Sequence, residues 1–188
     1  MTSTSEDRAR GLRRLLDHHW ALPVLAELGE RGGSRFVPLA NAVGANRQSV
    51  RRALDALIDE GLVTPNPGYG HPSRPEYLVT EEGRRLVPAC RAVLDALEAT
   101  GTDAVGRRRW ALPILVALGR GRRFSELKTE LPAITSRSLA SMLKELIAAG
   151  LVERDVVGSF PPHTSYRPTG RSSTIVDKAH GLATLLAA

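Results

Sequence analysis

Arg47, Gln48, Ser49, Arg51 and Arg52 fall within six consecutive residues. An arginine guanidinium can donate two parallel bonds to O6 and N7 of guanine. A glutamine amide can pair in the same two-pronged way with adenine. Serine adds a short donor-acceptor. Eighty-nine residues later stand Ser136, Arg137, Ser138 and Ser141, with Ala140 where the first set has Arg51. Three further groups could touch a polyanion. His71 and Arg74 sit between prolines in PNPGYGHPSRPE; proline stiffens such a loop, and an arginine at its tip can enter a narrow minor groove. Arg122 and Arg123 precede a helical stretch and could hold phosphate; so could Arg107, Arg108 and Arg109, which read equally as solvated linker. Each group also has a plain reading, as a solvated helix face or a surface loop with one hydrated arginine. The clustering of the first two at the start of a helix favours base contact.

Other reactive side chains do not assemble. His18 and His19 are adjacent, so they point to different faces of a helix, and no cysteine or carboxylate joins them at metal-ligand spacing. Cys90 lies on an apolar stripe with Leu86, Val93 and Leu94, which marks a buried structural thiol rather than a sensor. No nucleophile with a base and orienting group, no phosphate loop and no paired acids are present, so the chain reads as a non-enzyme with no cofactor. Trp20 and Trp110 could line a pocket for a small-molecule effector between the helix-turn-helix cores and outer helices. A tryptophan there is more often core.

The elements that position these residues come twice. WALPVLAELG at Trp20–Gly29 returns as WALPILVALG at Trp110–Gly119, ninety residues on. Gly61-Leu62-Val63 returns as Gly150-Leu151-Val152 and Tyr77…Thr80 as Tyr166…Thr169, both 89 on. A near-constant offset means one unit used twice. The 188 residues then divide into domains 1–100 and 101–188, each small enough to lean on the other for its core.

Ser3 and Glu6 have the spacing of a capping box, and Leu12, Leu15, Leu16 and Trp20 follow at helical intervals. Pro23 and Pro113 should kink or split the next helix. Leu39, Ala40 and Val43 fit a short helix, Gly44 a tight turn and Asn46 a helix cap. Val50, Leu54, Leu57 and Ile58 mark the buried face of the helix that Asn46 opens, and Gly61 stops it. Strands around Val63 and Tyr77 make a hairpin. Thr80 caps a helix carrying Leu86, Cys90, Val93, Leu94 and Leu97, which Pro88 should bend. In the second copy Ser125 and Thr135 are the expected caps. Leu139, Leu143, Leu146 and Ile147 face inward, strands run around Val152 and Tyr166, and a last helix carries Ile175, Val176, Ala179, Leu182 and Leu186. The fold class is mainly α with small β-hairpins (α+β): two tandem winged helix-turn-helix domains packed as a pseudo-dimer.

The second copy resembles the HxlR group of winged-helix transcriptional regulators. The resemblance rests on RRRWALPILVAL, RRFSEL at Arg122–Leu127, LPAITSRSLASMLKELIAAGLVER and PPHTSYRPT at Pro161–Thr169, in the family's order. The first copy shares WALPVL, Phe36, the Gly61-Leu62-Val63 turn and YLVTEEGRRLVP; its helix-turn-helix is as similar to the wider MarR-like superfamily. The resemblance implies sequence-specific binding of duplex DNA, usually by dimers joined through terminal helices, with one winged helix per chain. Two copies in one chain imply a covalent pseudo-dimer, and a homodimer of intact chains would carry four recognition helices. Two departures stand out. His163 and Thr164 occupy a stretch where a basic residue commonly follows the Pro-Pro of the wing, and the N-terminal redox cysteine of some relatives is absent.

Charge agrees with a polyanion partner. The net charge is +6, with 23 of 26 basic residues being arginine, and the isoelectric point is about 10.2. It is uneven: residues 1–100 hold 13 basic and 13 acidic residues, residues 101–188 hold 13 and 7. No apolar run approaches a membrane span and the first residues carry no apolar signal region, so the expected location is cytoplasmic, at the nucleoid. Two other classes compete with a DNA-binding regulator. A tandem winged-helix adaptor for protein contacts or chromosome organisation need not place Arg47, Gln48, Arg51, Arg52 and Arg137 outward. A DNA-processing enzyme would need an acid-base pair that is missing.

Overall fold

The internal echo becomes one order of elements used twice in the computed structural model, which describes residues 5–66, 76–157 and 163–187. The first series is α1 (Ser5–Leu16), α2 (Ala21–Arg31), β1 (Ser34–Arg35), α3 (Phe36–Val43), α4 (Arg47–Asp59), β2 (Val63–Asn66), β3 (Glu76–Val79) and α5 (Glu81–Ala99). The second is α6 (Asp103–Gly106), α7 (Ala111–Leu118), β4 (Arg122–Arg123), α8 (Phe124–Glu130), α9 (Ser136–Ala148), β5 (Val152–Val157), β6 (His163–Pro168), a 3₁₀ turn at Gly170–Ser172 and α10 (Ser173–Leu186).

Two compact units result. One is Leu15–Leu94; the other joins Met1–Arg14 to Asp95–Ala188. We call them the N-terminal and C-terminal units. The N-terminal unit holds 9 basic and 9 acidic residues, and the C-terminal unit 17 and 11. The entire net charge of +6 therefore resides on the C-terminal unit, to which the arginines of early α1 belong.

Pro23 and Pro113 split rather than kink their helices. α1 ends at Leu16, and α2 begins at Ala21 with Trp20 as its N-cap. The first intrahelical bond of α2 runs from Val24 N–H to the Trp20 carbonyl at 3.0 Å, so Pro23 occupies the first turn, where no N–H is needed. Pro113 is placed likewise, with Ile114 N–H bonded to the Trp110 carbonyl at 3.0 Å. Trp20 thus belongs to the cap of α2 and not to the stripe of α1. Pro88 sits within α5, which continues through it.

The helix ends of α4 and α9 are built alike. Gly61 and Gly150 have φ of 71° and 70°, a conformation that glycine adopts without strain. Behind them Leu62 N–H returns to the Leu57 carbonyl at 2.8 Å and Leu151 N–H to the Leu146 carbonyl at 2.9 Å. This 6→1 bond satisfies carbonyls that a helix end otherwise leaves open. Thr80 and Thr169 then tie the wing back: their hydroxyls donate to the carbonyls of Gly61 and Gly150 at 2.8 and 2.7 Å.

Each wing is a three-stranded antiparallel sheet, with orders β1-β3-β2 and β4-β6-β5. The third strand is an addition to the hairpin expected from sequence. Ser34 pairs with Tyr77 and Arg35 with Glu76; Arg122 pairs with Tyr166 and Arg123 with Ser165. Two residues are too few to show an alternating pattern, so nothing marks β1 or β4 in advance.

The core of the N-terminal unit packs Leu22, Leu25 and Leu28 with Leu39, Val50, Leu54 and Leu57, each at most 1% exposed. In the C-terminal unit every residue of α7 is buried, beside Leu127, Leu139, Leu143, Leu146, Ile175 and Leu182. Ile147, expected inward, is 36% exposed; it lies one residue beyond the stripe that Leu139, Met142, Leu143 and Leu146 complete. Ser125 is not the cap of its helix. α8 begins one residue earlier, at Phe124, with Arg123 at the N-cap and the Glu126 carboxylate accepting from Arg123 N–H at 2.7 Å. Ser3 lies outside the described residues, as does the wing loop that holds His71 and Arg74.

Cys90 is wholly buried, and desolvation pushes its thiol up to about 12. Such a thiol stays protonated, and a weak nucleophile, at neutral pH. A thiol-specific reagent at pH 8 should label the native chain at least about tenfold more slowly than the urea-unfolded chain. Equal rates would place the sulfur at the surface.

Candidate nucleic-acid interface

Local side-chain chemistry builds α4 and α9 as projecting helices. Asn46 Oδ1 accepts from Ser49 N–H at 2.8 Å, and Thr135 Oγ1 accepts from Ser138 N–H at 3.1 Å. Each cap answers one of the N–H groups that a helix start leaves unpaired. Val50, Ala53, Leu54 and Leu57 bury one face of α4, while Leu139, Met142, Leu143 and Leu146 bury that of α9. The other face carries the polar side chains. Arg47, Gln48, Arg51 and Arg52 are exposed and Ser49 is half-buried. In α9 Ser136, Arg137, Ala140 and Ser141 are exposed and Ser138 is half-buried. The sequence-picked residues of both helices therefore share the outer surface of their N-terminal turns.

Two of them are partly committed within the fold. Arg51 donates to the Tyr77 hydroxyl at 2.9 Å and stacks over the Phe36 ring, its guanidinium carbon 4.4 Å from the centroid. It links α4 to α3 and β3, and one of its five N–H donors is used by Tyr77. Ser138 Oγ accepts from the Thr135 hydroxyl at 2.9 Å, as part of the cap. Thr135→Ala should lower the stability of the C-terminal unit by about 1 kcal/mol, read as a shift of its urea midpoint. No shift would mean that the hydroxyl does not hold α9.

The remaining arginines differ in use. Arg122 pairs with Glu130 at 3.2 Å, tying β4 to the end of α8, whereas Arg123 is exposed. Arg108 pairs with Glu145 and Arg109 lies over the Trp110 ring at 5.6 Å. On the second wing, Arg167 is held by Glu153 at 2.7 Å and Asp155 at 3.2 Å. Their hydrogen bond and charges raise its already high pKa. One candidate was missed in the sequence. Arg35, exposed in β1, is the counterpart of Arg123 in β4, since Ser34 and Arg122 face Tyr77 and Tyr166. The repeat itself carries that signal, through the alignment of the two tyrosines.

The helix-turn-helix turns are unequal. Three residues, Gly44-Ala45-Asn46, separate α3 from α4, with Gly44 at φ 69°. Five, Leu131 to Thr135, separate α8 from α9. Beside the longer turn lies a cleft of about 100 Å³, lined in part by Trp110; Trp20 is not among its lining residues. Among the described residues, no three His, Cys, Asp or Glu side chains gather as metal ligands would. Nor is any described helix long and apolar enough to cross a membrane.

A short helix, a turn, a capped helix with an outward polar start, and a small antiparallel sheet define a winged helix-turn-helix protein, here with two such units. The chain belongs to the HxlR-like helix-turn-helix family, whose model matches residues 15–107 and again residues 104–186. Similar curated proteins carry regulator names. One is the uncharacterized HTH-type transcriptional regulator YvaP of Bacillus subtilis (strain 168), 34% identical over 84 residues, covering 45% of this chain and 71% of the relative. An uncharacterized HTH-type transcriptional regulator of Methanothermobacter thermautotrophicus is 35% identical over 69 residues, covering 36% and 53%. The uncharacterized HTH-type transcriptional regulator YtfH of Escherichia coli (strain K12) is 34% identical over 76 residues, covering 40% and 60%. In the last two the match spans less than two thirds of the relative's length.

Proposed function

We propose that this chain is a transcriptional regulator that reads the sequence of duplex DNA with both of its units and carries out no catalysis. The observation that supports it most is the doubled recognition helix. In each unit an N-capped helix buries one face and presents arginine, with glutamine or serine, from the exposed start of the other. Such a helix fits the major groove, and its first outward side chains reach base edges. Arg47, Gln48, Ser49 and Arg52 would read bases from α4, and Ser136, Arg137, Ser138 and Ser141 from α9. Arg51, tethered by Tyr77 and Phe36, would meet the backbone at the flank. Arg35 and Arg123 would hold phosphate, with Arg122 supporting through Glu130. His71 and Arg74 would serve the first wing.

Two units in one polypeptide would act as the covalent equivalent of the dimer that the family resemblance implies. The chain would work in the cytoplasm, on the nucleoid. A mobility-shift titration on fragments of genomic DNA at low salt tests the reading. It should show saturable retardation, with some fragments preferred. Absence of any shift would leave the protein-interaction adaptor as the better account, and equal shifts on all fragments would remove sequence reading.

A further inference from the structure

We infer that Tyr77 and Phe36 are positioning residues, which hold Arg51 as a preset seat for one backbone phosphate of DNA, in the N-terminal unit alone. The inference rests on the DNA-reading function proposed above and adds to it what sets this arginine. Several arginines of the fold are held by acids. Glu130 pairs with Arg122, Glu145 with Arg108, and Glu153 and Asp155 with Arg167. Arg51 is held by a hydroxyl and a ring. Among the described residues no acid pairs with it, Asp55 one turn along α4 included. Its position is therefore fixed while its charge stays unanswered. The guanidinium carbon lies 4.4 Å from the Phe36 ring centroid, so one face of the plane is covered. The N–H donors lie in that plane, along its edge. One goes to Tyr77 Oη at 2.9 Å, which leaves four. Arg51 is exposed, so two of them can meet the oxygens of a phosphate in a fork.

The two holders are themselves fixed. Tyr77 is 4% exposed and lies in β3, the middle strand of its sheet, paired with Ser34 on one side and Pro65 on the other. Phe36 opens α3 and is half-buried. Ordering a long side chain on binding forfeits about two- to tenfold in affinity. Here the ordering is done by the folded chain before DNA arrives. The C-terminal unit keeps the holders and lacks what they hold. α8 opens with Phe124 and β6 carries Tyr166, but Ala140 stands at the place of Arg51. The seat is thus a second way in which the two units differ, besides the side chains that would read bases.

A double-mutant cycle tests the seat, read by fluorescence anisotropy of a labelled duplex that the intact chain binds. Arg51→Ala should weaken binding about two- to tenfold, by the same factor on duplexes altered at single base pairs, and reduce the salt slope by about 1. Tyr77→Phe, which removes only a hydroxyl, and Phe36→Leu should each weaken binding by about twofold or more while Arg51 is present. Neither should weaken it further in the Arg51→Ala protein. Tyr166→Phe, with no arginine to release, should leave affinity as it was. A loss from Tyr77→Phe or Phe36→Leu that persists without Arg51 would show that they act through folding, and would overturn the seat. So would an equal loss from Tyr166→Phe, undiminished binding by the Arg51→Ala protein, or a loss from Arg51→Ala confined to one base pair. In each of these cases the parent chain still binds DNA and the proposed function stands. A parent chain that binds no duplex would overturn both.

Discussion

Raising salt from 50 to 200 mM should weaken binding to duplex DNA about 10³-fold, if about six phosphates are neutralised. Each neutralised phosphate releases condensed counterions, so the logarithm of affinity falls with the logarithm of salt by about 0.9 per contact on B-form DNA. The exposed cations include Arg35 in β1, Arg123 in β4, Arg47 and Arg52 on α4 and Arg137 on α9, and the C-terminal unit supplies the whole net charge of +6. Arg35→Ala or Arg123→Ala should reduce the salt slope by about 1 while leaving the order of preferred sequences unchanged. Fluorescence anisotropy of a labelled duplex across that salt range measures both. A slope near zero would show that the basic charge serves something other than the DNA backbone.

Arg52→Ala should cost about 1–3 kcal/mol in binding and relax preference at one base pair of one half-site. Arg137→Ala should relax the other half-site, and by less. The reason is the unlike surface of the two helices. At matching outward positions α4 carries Arg47, Gln48, Arg51 and Arg52, and α9 carries Ser136, Arg137, Ala140 and Ser141; only Ser49 and Ser138 agree. α4 therefore has three cationic side chains where α9 has one. Arg51 would add little to base reading, because it is tied to Tyr77 and stacked over Phe36. Bulk charge and local chemistry thus fall on different units. On the proposed function, the C-terminal unit would supply attraction without sequence preference, and α4 would supply the richer set of base contacts. Competition between duplexes altered at single base pairs, measured for parent and variants, separates the two. Equal loss in both half-sites from either substitution would mean that one type of unit does all the reading.

Much of this was legible from residue order, where local rules decide structure. Asn46 and Thr135 cap the helices expected of them, because a cap needs only one side chain and the next turn of backbone. Gly61 and Gly150 end those helices for an equally local reason. The stripe of Leu86, Cys90, Val93, Leu94 and Leu97 is buried as its spacing requires. The repeat doubled the strength of each of these signals. What stayed hidden depends on partners distant in sequence. β1 and β4 exist only through pairing with β3 and β6. The tether of Arg51 needs Tyr77, 26 residues away. The tie between Arg122 and Glu130 and the cleft beside Trp110 both depend on where α8 stops, which the start at Phe124 and Pro132 in the turn decide together. Ser125 was misleading because it is a good capping residue placed two positions too late; the extended backbone of Arg123, paired in β4, sets the start of the helix first.

The central claim is that one chain carries two unlike DNA-reading heads. Selection from a pool of randomised duplexes by the intact protein, followed by sequencing of the bound fraction, tests it most directly. The account predicts an enriched site composed of two different half-sites, one of which loses definition with Arg52→Ala and the other with Arg137→Ala. A perfect palindrome in which both halves respond to the same substitution, or a bound pool no different from the starting pool, would contradict it.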